Sequence, residues 1–160
     1  MVDKSSMQII GRAEKVDFPE LSLKRVPARV DTGAKTSSIW ASHVKEQGGV
    51  LEFVLFDKKN KPFTGEIVKT RIYEKRMVAS SMGKSEERCF VRLLVKIKGR
   101  NIRATFSLAN RSQQVYPVLV GRNILRGKFV VDVKKGQPLI NNERKRSTEL
   151  QSRLKQEGAN

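Results

Sequence analysis

The sequence predicts an all-β fold, and two observations support this prediction. From Ile9 to about Leu139 the chain reads as short segments in which apolar and polar residues alternate, which is the pattern of half-buried strands. Turn-forming residues separate these segments, and few stretches carry the period of an amphipathic helix. The 160 residues are enough for one compact domain with short tails.

The strands are predicted in chain order from these alternating segments. The first segment leads into a turn at Pro19, the second ends at Asp31, and Gly48 and Gly49 break the chain before the third. A lysine-rich turn at residues 57–62, a polar loop at residues 80–87 and a turn at residues 98–101 each predict a hairpin. The predicted strands are residues 8–16, 23–30, 50–56, 63–68, 69–78, 88–97 and 102–108.

The two ends of the chain differ from this middle part. Residues 1–8 are predicted to be a flexible N-terminus, and residues 9–139 the folded domain. After Pro138 the only large apolar residues from Asn141 onward are Leu150 and Leu154, among many charges. Residues 140–160 are therefore predicted to form a basic tail that is disordered or a short helix.

The most informative feature of the composition is its charge. The chain has 33 Lys and Arg against 16 Asp and Glu, which gives a net charge of +17. Such a field attracts polyanions, so nucleic acid, an acidic membrane surface and a glutamate-rich peptide are all candidate partners, and charge alone does not choose among them. No apolar run approaches the roughly 18 residues that span a bilayer, and the opening residues lack a signal peptide, so a cytoplasmic protein without membrane contact is expected.

Metal and cofactor sites are disfavoured by the sequence. Cys89 and His43 are the only cysteine and histidine, which is fewer than the three or four side-chain ligands of a zinc site. We therefore expect neither a metal nor another cofactor.

A possible catalytic motif follows the second predicted strand. Asp31-Thr32-Gly33 places a carboxylate directly after a strand, followed by a small hydroxyl residue and a glycine. Gly33 allows a tight turn and a close backbone approach, and the Thr32 hydroxyl can brace the loop. Aspartic peptidases need two carboxylates that share one proton, so that one activates a water and the other polarises the scissile carbonyl. On its own, however, the tripeptide is more typical of an ordinary turn.

A second segment makes the motif specific. Residues 30–34 (VDTGA), combined with residues 118–125 (VLVGRNIL), resemble the retroviral proteases, in which an apolar-apolar-Gly-Arg-Asn segment passes beneath the catalytic loop. The resemblance implies the acid-protease fold, a retropepsin-like closed barrel, with Asp31 as catalytic residue and Thr32 and Gly33 as its supporting loop.

The chain is also similar to a narrower retropepsin-like family, often labelled ATP-dependent zinc proteases and associated with RimK-type glutamate ligases. This similarity spans about Ile9 to Leu139 and includes residues 10–12, 31–37, 86–88 and 117–122. The zinc part of the label has no support in the sequence, because His43 has no second histidine and Cys89 no second cysteine to act with it.

The carboxylates of the chain favour a homodimer. Of five aspartates, only Asp31 is followed by Thr-Gly. Asp132 lies in a strand-like context, and Asp57 opens a lysine-rich turn. The second carboxylate must then come from a second copy of the chain, related by a twofold axis.

Residues beside the motif suggest a substrate class. In retroviral proteases the residue after Asp-Thr-Gly-Ala is acidic and pairs with the arginine of the Gly-Arg-Asn segment, whereas here Lys35 follows Ala34, and the arginine is Arg122. Two like charges at these positions favour an anion between them, such as a carboxylate of a glutamate-rich peptide or protein tail. An equally weighted alternative is that Lys35 reaches solvent and Arg122 bonds backbone carbonyls.

A peptidase of this kind needs a flap that closes over the substrate and excludes water. Residues 80–87 are the candidate flap, and residues 57–64 are the alternative. Arg88, beside this loop, is predicted either to bind a substrate carboxylate or to pair with Glu86 or Glu87. The sequence therefore predicts an aspartic peptidase that acts on acidic peptides as a homodimer. The alternative is a non-catalytic basic β-domain that binds nucleic acid, the ribosome or acidic peptides.

Overall fold

The computed structural model of the chain describes residues 7–58, 63–79 and 83–159. Most of the predicted flexible N-terminus, the centre of the turn at 57–62 and the tip of the loop at 80–87 lie outside the described residues. The described strands are β1 (Gln8–Ile10), β2 (Ala13–Phe18), β3 (Leu23–Val30), β4 (Ser37–Gln47), β5 (Val50–Leu55), β6 (Ile67–Thr70), β7 (Glu74–Ala79), β8 (Ser85–Ile97), β9 (Arg100–Ala109), β10 (Val118–Val120) and β11 (Phe129–Val131). The helices are a short 3-10 turn at Pro19–Leu21, α1 (Arg122–Leu125) and α2 (Ile140–Gly158).

The main sheet closes on itself as a ring of strands. Its order is β10-β3-β2-β8-β9-β4, and β4 pairs again with β10 to complete the ring. From β4 the sheet continues to β5 and β6, while β7 pairs with β8 as a hairpin arm. The prediction of an all-β, retropepsin-like domain is confirmed by this architecture and by the family match described below.

The interior of the ring is apolar because the strand residues alternate. In β3, Val26, Ala28 and Val30 are buried, while Pro27 between them is half-buried and Arg29 is exposed. Phe18 of β2 and Phe106 of β9 meet edge to face across the interior, with their ring centroids 5.7 Å apart. Large buried aromatic rings of this kind contribute much of the burial that holds a small domain together.

Strand β10 determines where the ends of the central strands lie. It runs parallel to β3, with Val118 opposite Ala28 and Val120 opposite Val30, and antiparallel to β4. Asp31 follows the last residue of β3, and α1 follows β10 after Gly121. The two segments that carry the sequence motif are therefore neighbours in space.

Several predicted hairpins are present, with shifted boundaries. Strand β5 pairs with β6, which lies at Ile67–Thr70 rather than at residues 63–68. Strand β7 pairs with β8 across the loop at 80–87, and β8 pairs with β9 across a turn in which Lys98 and Gly99 have positive φ. Strand β4 has no counterpart among the predicted strands.

The basic tail is helical over Ile140–Gly158. Its first turn is held to the ring by Glu143, whose carboxylate accepts hydrogen bonds from the Arg12 guanidinium at 2.8 and 3.0 Å. The Tyr116 hydroxyl also donates to Glu143, at 2.5 Å. Neither described helix combines the length and the apolar character needed to cross a lipid bilayer.

Candidate active site

The Asp31 loop, residues 31–36, is held by hydrogen bonds from its own backbone and from β10. The Asp31 N–H donates to the carbonyl of Val120 at 2.9 Å. The Gly33 N–H donates to Asp31 Oδ1 at 2.9 Å, and the Ala34 N–H donates to the Asp31 carbonyl at 3.3 Å. These bonds fix both the backbone and the carboxylate of Asp31.

Gly33 provides space as well as a hydrogen bond. A Cβ at this position would lie 3.2 Å from Asp31 Oδ1. A side chain would therefore crowd the carboxylate oxygen that the Gly33 N–H binds. This close approach explains the small residue in the motif.

The segment after β10 passes directly beneath the Asp31 loop. The Arg122 N–H donates to the Ala34 carbonyl at 2.8 Å. A Cβ on Gly121 would lie 2.9 Å from the backbone oxygens of Ala34 and Thr36. Because the φ of −96° at Gly121 is open to any residue, the glycine is required here by close packing rather than by conformation.

Ser37 joins this segment to the start of β4. Its hydroxyl donates to Asn123 Oδ1 at 2.7 Å and accepts from the Gly121 N–H at 2.9 Å. The Ser37 N–H also donates to Asn123 Oδ1, and the Asn123 side-chain amide donates to the carbonyl of Thr105 on β9, each at 2.9 Å. Strands β4, β9 and β10 and the start of α1 thus meet at a single polar junction beneath the candidate catalytic loop.

A cleft of about 630 Å³ opens beside the Asp31 loop, and we call it the loop cleft. One wall is the loop itself, through Ala34, Lys35 and Thr36. The arm formed by β7 and β8 contributes another part of the lining, namely Arg76, Met77, Val78, Ala79, Arg88 and Phe90. The arm that carries the candidate flap therefore borders the same cleft as the Asp31 loop.

The candidate binding residues are only partly brought together. Ala34, Lys35 and Arg88 line the loop cleft, whereas Arg122 is exposed and is not among its described lining residues. The Arg88 side chain pairs with Glu86, which is one of the two readings left open by the sequence. Thr32 is exposed, and in the described parts of a single copy its hydroxyl has no hydrogen-bond partner.

Sequence reasoning missed Arg111, which lies between β9 and β10. Its Nε donates to the Tyr116 carbonyl at 2.9 Å. Burial lowers the pKa of Arg111, and the positive charges of Arg29 and Arg88 lower it further, while Asp31 acts in the opposite direction. Arg111 is thus a half-buried cation within electrostatic reach of Asp31, and its position in a polar turn gave no sequence signal.

A second cleft of about 660 Å³ lies between the ring and α2, and we call it the helix cleft. Arg111 and Gln114 line both clefts. Val30 lines the helix cleft and Ala34 the loop cleft, so Asp31 lies between the two along the chain. The remaining lining residues are Arg12, Arg29, Val115, Tyr116, Val133, Glu143, Arg146, Ser147 and Leu150.

The described residues do not favour a metal site or a cysteine nucleophile. They contain no group of three or more His, Cys, Asp or Glu side chains placed to hold a metal ion. Burial raises the pKa of the Cys89 thiol, which disfavours the thiolate that a nucleophile requires.

The other aspartates with described hydrogen bonds serve turns. Asp17 accepts from the Arg25 N–H at 2.8 Å, and Asp132 accepts from the Lys134 N–H at 3.0 Å. The described residues hold one Asp-Thr-Gly loop per copy of the chain. A single copy therefore supplies one carboxylate of the kind that an aspartic dyad uses in pairs.

The chain resembles curated proteins that are much longer. It is 32% identical to a protein named "Probable alpha-L-glutamate ligase" from Shewanella pealeana, over 78% of this chain and 28% of that protein. A protein of the same name from Desulfotalea psychrophila is also 32% identical, with the same coverage. The chain thus spans little more than a quarter of the length of these relatives.

A solved structure and a family profile also match most of this chain. The crystal structure of a Legionella pneumophila protein of unknown function has a TM-score of 0.58 and 25% identity, and the match covers 80% of this chain and 95% of that one. The profile of the family described as "RimB-like: Retropepsin-like aspartic endopeptidase RimB" matches residues 9–140, which confirms the resemblance found in the sequence. The chain belongs to the RimB-like family of retropepsin-like aspartic endopeptidases.

Proposed function

We propose that this protein is an aspartic peptidase whose active form is a homodimer and whose substrates are acidic, glutamate-rich peptides or protein tails. The observation that carries the proposal is the Asp31 carboxylate, held by the Gly33 N–H on a loop that β10 supports, in a chain of an aspartic endopeptidase family. Each copy contributes one such loop, so a twofold partner would complete the dyad. Thr32 and Gly33 are exposed beside Asp31 and leave room for that approach.

The mechanism follows from two carboxylates that share one proton. The ionised Asp31 removes a proton from a water molecule, whose oxygen attacks the carbonyl carbon of the scissile bond. The protonated Asp31 of the second copy donates to the carbonyl oxygen. The carbon–nitrogen bond then breaks, and the leaving amine takes up a proton from the dyad.

The charges of the loop cleft support an acidic substrate. Lys35, Arg76, Arg88 and Arg111 line it, and Arg76 and Arg88 are already paired with Glu74 and Glu86. Lys35 and Arg111 have no carboxylate within ion-pair distance among the described residues, so a substrate carboxylate would meet two cations without an ion-pair partner. The glutamate ligases named among the relatives suggest glutamate chains as one source of such substrates.

The proposal is tested by peptide cleavage. Native protein and Asp31→Ala are incubated with an oligoglutamate-tailed peptide and with its glutamine counterpart at several pH values, and products are identified by mass spectrometry. We expect native protein alone to shorten the acidic peptide, because loss of the carboxylate removes both the base and the proton donor of the dyad.

Two results would contradict the proposal. Equal shortening by both proteins would mean that Asp31 is not catalytic. No cleavage of any peptide by native protein, under conditions in which it binds RNA, would favour a binding module instead.

A non-catalytic basic module is the second candidate, and α2 is the observation that favours it. The helix has no buried residue and carries Arg144, Lys145, Arg146, Arg153 and Lys155 on a chain of net charge +17. A surface with this excess of positive charge would bind polyanions such as RNA through their phosphates. A salt-sensitive RNA complex that is unchanged in Asp31→Ala, together with no peptide cleavage, would identify this function.

A further inference from the structure

The helix cleft combines an excess of arginines with a single described carboxylate. Its cationic lining residues are Arg12, Arg29, Arg111 and Arg146, and its acidic lining residue is Glu143. Glu143 already accepts two hydrogen bonds from Arg12 and one from the Tyr116 hydroxyl. Glu143 therefore holds the first turn of α2 through short hydrogen bonds, and its charge acts on Arg29 only at longer range.

The other three arginines have no such partner. Among the described residues, no carboxylate lies within ion-pair distance of Arg29, Arg111 or Arg146. One of the five guanidinium N–H groups of Arg111 is used, on the Tyr116 carbonyl. Three like charges that face one cleft repel each other unless an anion binds between them.

The position of Arg111 connects this cluster to the candidate active site. Arg111 and Gln114 line both clefts, and the chain passes from Val30 in the helix cleft through Asp31 to Ala34 in the loop cleft. An extended peptide lying past Asp31 would thus have one end in the loop cleft and the other in the helix cleft. Arg111, close to Asp31, Arg29 and Arg88, would be at the crossing point.

We infer that Arg29, Arg111 and Arg146 form a carboxylate-binding subsite, in which acidic side chains of the substrate beyond the scissile bond bind against helix α2. The inference rests on the proposed peptidase function, because it treats the two clefts as one substrate path. It also gives α2 a role, since Arg146 and Leu150 of the helix form a wall of the subsite.

The test uses Arg29→Gln and Arg146→Gln, singly and together, in the full-length protein. Gln removes the charge and keeps a long side chain, and at Arg146 it also suits the helix. Arg144→Gln is the matched control, because it lies two positions from Arg146, which is about 200° around the helix, and does not line the described clefts. Thermal unfolding of each variant establishes that the fold is kept.

Binding is measured by fluorescence anisotropy with a labelled oligoglutamate peptide and its glutamine counterpart, each variant being combined with Asp31→Asn to prevent turnover. We expect Arg29→Gln and Arg146→Gln each to raise the Kd for the acidic peptide roughly two- to fivefold, and the double variant roughly the product of the two. Arg144→Gln should change the Kd by far less, and added salt should reduce all the differences.

The outcomes separate this inference from the proposed function. If native protein cleaves the acidic peptide but the Kd values of both arginine variants match that of Arg144→Gln, the subsite is wrong and the peptidase stands. If the peptide is not cleaved but binding depends on Arg29 and Arg146, the subsite stands without the peptidase. Equal loss of affinity for acidic peptide and for single-stranded RNA would overturn the inference in favour of a general polyanion surface.

Discussion

At the scale of single residues, the structure supports the candidate catalytic loop through Ser37. The side chain is fully buried, with a relative exposure of 0%. Its hydroxyl is the hydrogen-bond partner of the Gly121 N–H, which lies directly beneath the backbone of the Asp31 loop. A buried N–H that loses its partner costs the desolvation free energy of that group.

We predict that Ser37→Ala lowers the free energy of unfolding by about 1–3 kcal/mol, because it leaves the Gly121 N–H and one acceptor site of Asn123 without the hydroxyl. Urea unfolding measures the change. Ser38→Ala is the matched control for stability, since the Ser38 hydroxyl makes only a 3.4 Å bond to the carbonyl of Ser107. Equal destabilisation by both variants would mean that the junction does not stabilise the loop.

The Asp31 loop could be predicted from sequence because its chemistry is local. Asp31, Thr32 and Gly33 are consecutive, and residues 118–125 resemble the Gly-Arg-Asn segment of the retroviral proteases. Arg111 could not be predicted, because an arginine in a polar turn is ordinarily solvated, and only the ring of strands brings it near Asp31 and Arg29. Tertiary structure, rather than local pattern, turns this arginine into a candidate site residue.

At the scale of elements, α2 is fastened to the ring mainly at its first turn. Arg12 lowers the pKa of Glu143 through its hydrogen bonds, and the Tyr116 hydroxyl adds to this effect. Burial, followed by the hydrogen bond to Glu143, raises the pKa of Tyr116. The attachment of α2 to the ring through Arg12 and Tyr116 therefore depends on an ionised Glu143.

We predict that Glu143→Gln lowers the free energy of unfolding by about 1 kcal/mol near neutral pH. The figure is small because the Arg12 side chain is 42% exposed and solvent screens the pair. The folded pKa of Glu143 is below the unfolded value of about 4.3, so the stabilisation is complete above that pH and is lost as pH falls through the folded value.

Urea unfolding of native protein and Glu143→Gln at neutral pH and at about pH 3 measures this difference, which should shrink at the lower pH. Glu149→Gln, on the same helix, is the control, because Glu149 is exposed and has no described side-chain partner. A difference that is as large at the acidic pH as at neutral pH would contradict an ionic tie.

The elements differ in how far the sequence could predict them. Strand β3 alternates from Val26 to Val30, and the sequence predicts it at its observed bounds, Leu23–Val30. Strand β4 was missed because Ser37 to Ala41 are all buried, so the strand lacks the alternation of a one-sided sheet. For the residues of α2 the sequence predicts either disorder or a short helix, because their apolar residues are too few to form a continuous stripe.

At the scale of the whole molecule, the proposed dyad requires two copies of the chain. We therefore predict that mixing native protein with an inactive variant lowers the activity of the native chains. When native protein is allowed to exchange with an equal amount of Asp31→Asn, random pairing places about half of the native chains in mixed dimers. The cleavage rate per native chain should therefore fall to about half, and further as the inactive variant is raised to excess. A rate that is unchanged by the variant would mean that one Asp31 suffices.

The insertion of β10 between β3 and β4 also affects when the Asp31 loop takes up its folded geometry during synthesis. The backbone partners of the Asp31 loop, Val120 and Arg122, are translated long after the loop itself. Such long-range parallel pairing closes large loops and makes folding comparatively slow. A nascent chain would thus expose Asp31 on an unsupported segment until β10 leaves the ribosome. The order of translation would by itself keep the carboxylate out of its working geometry until nearly the whole domain has been made.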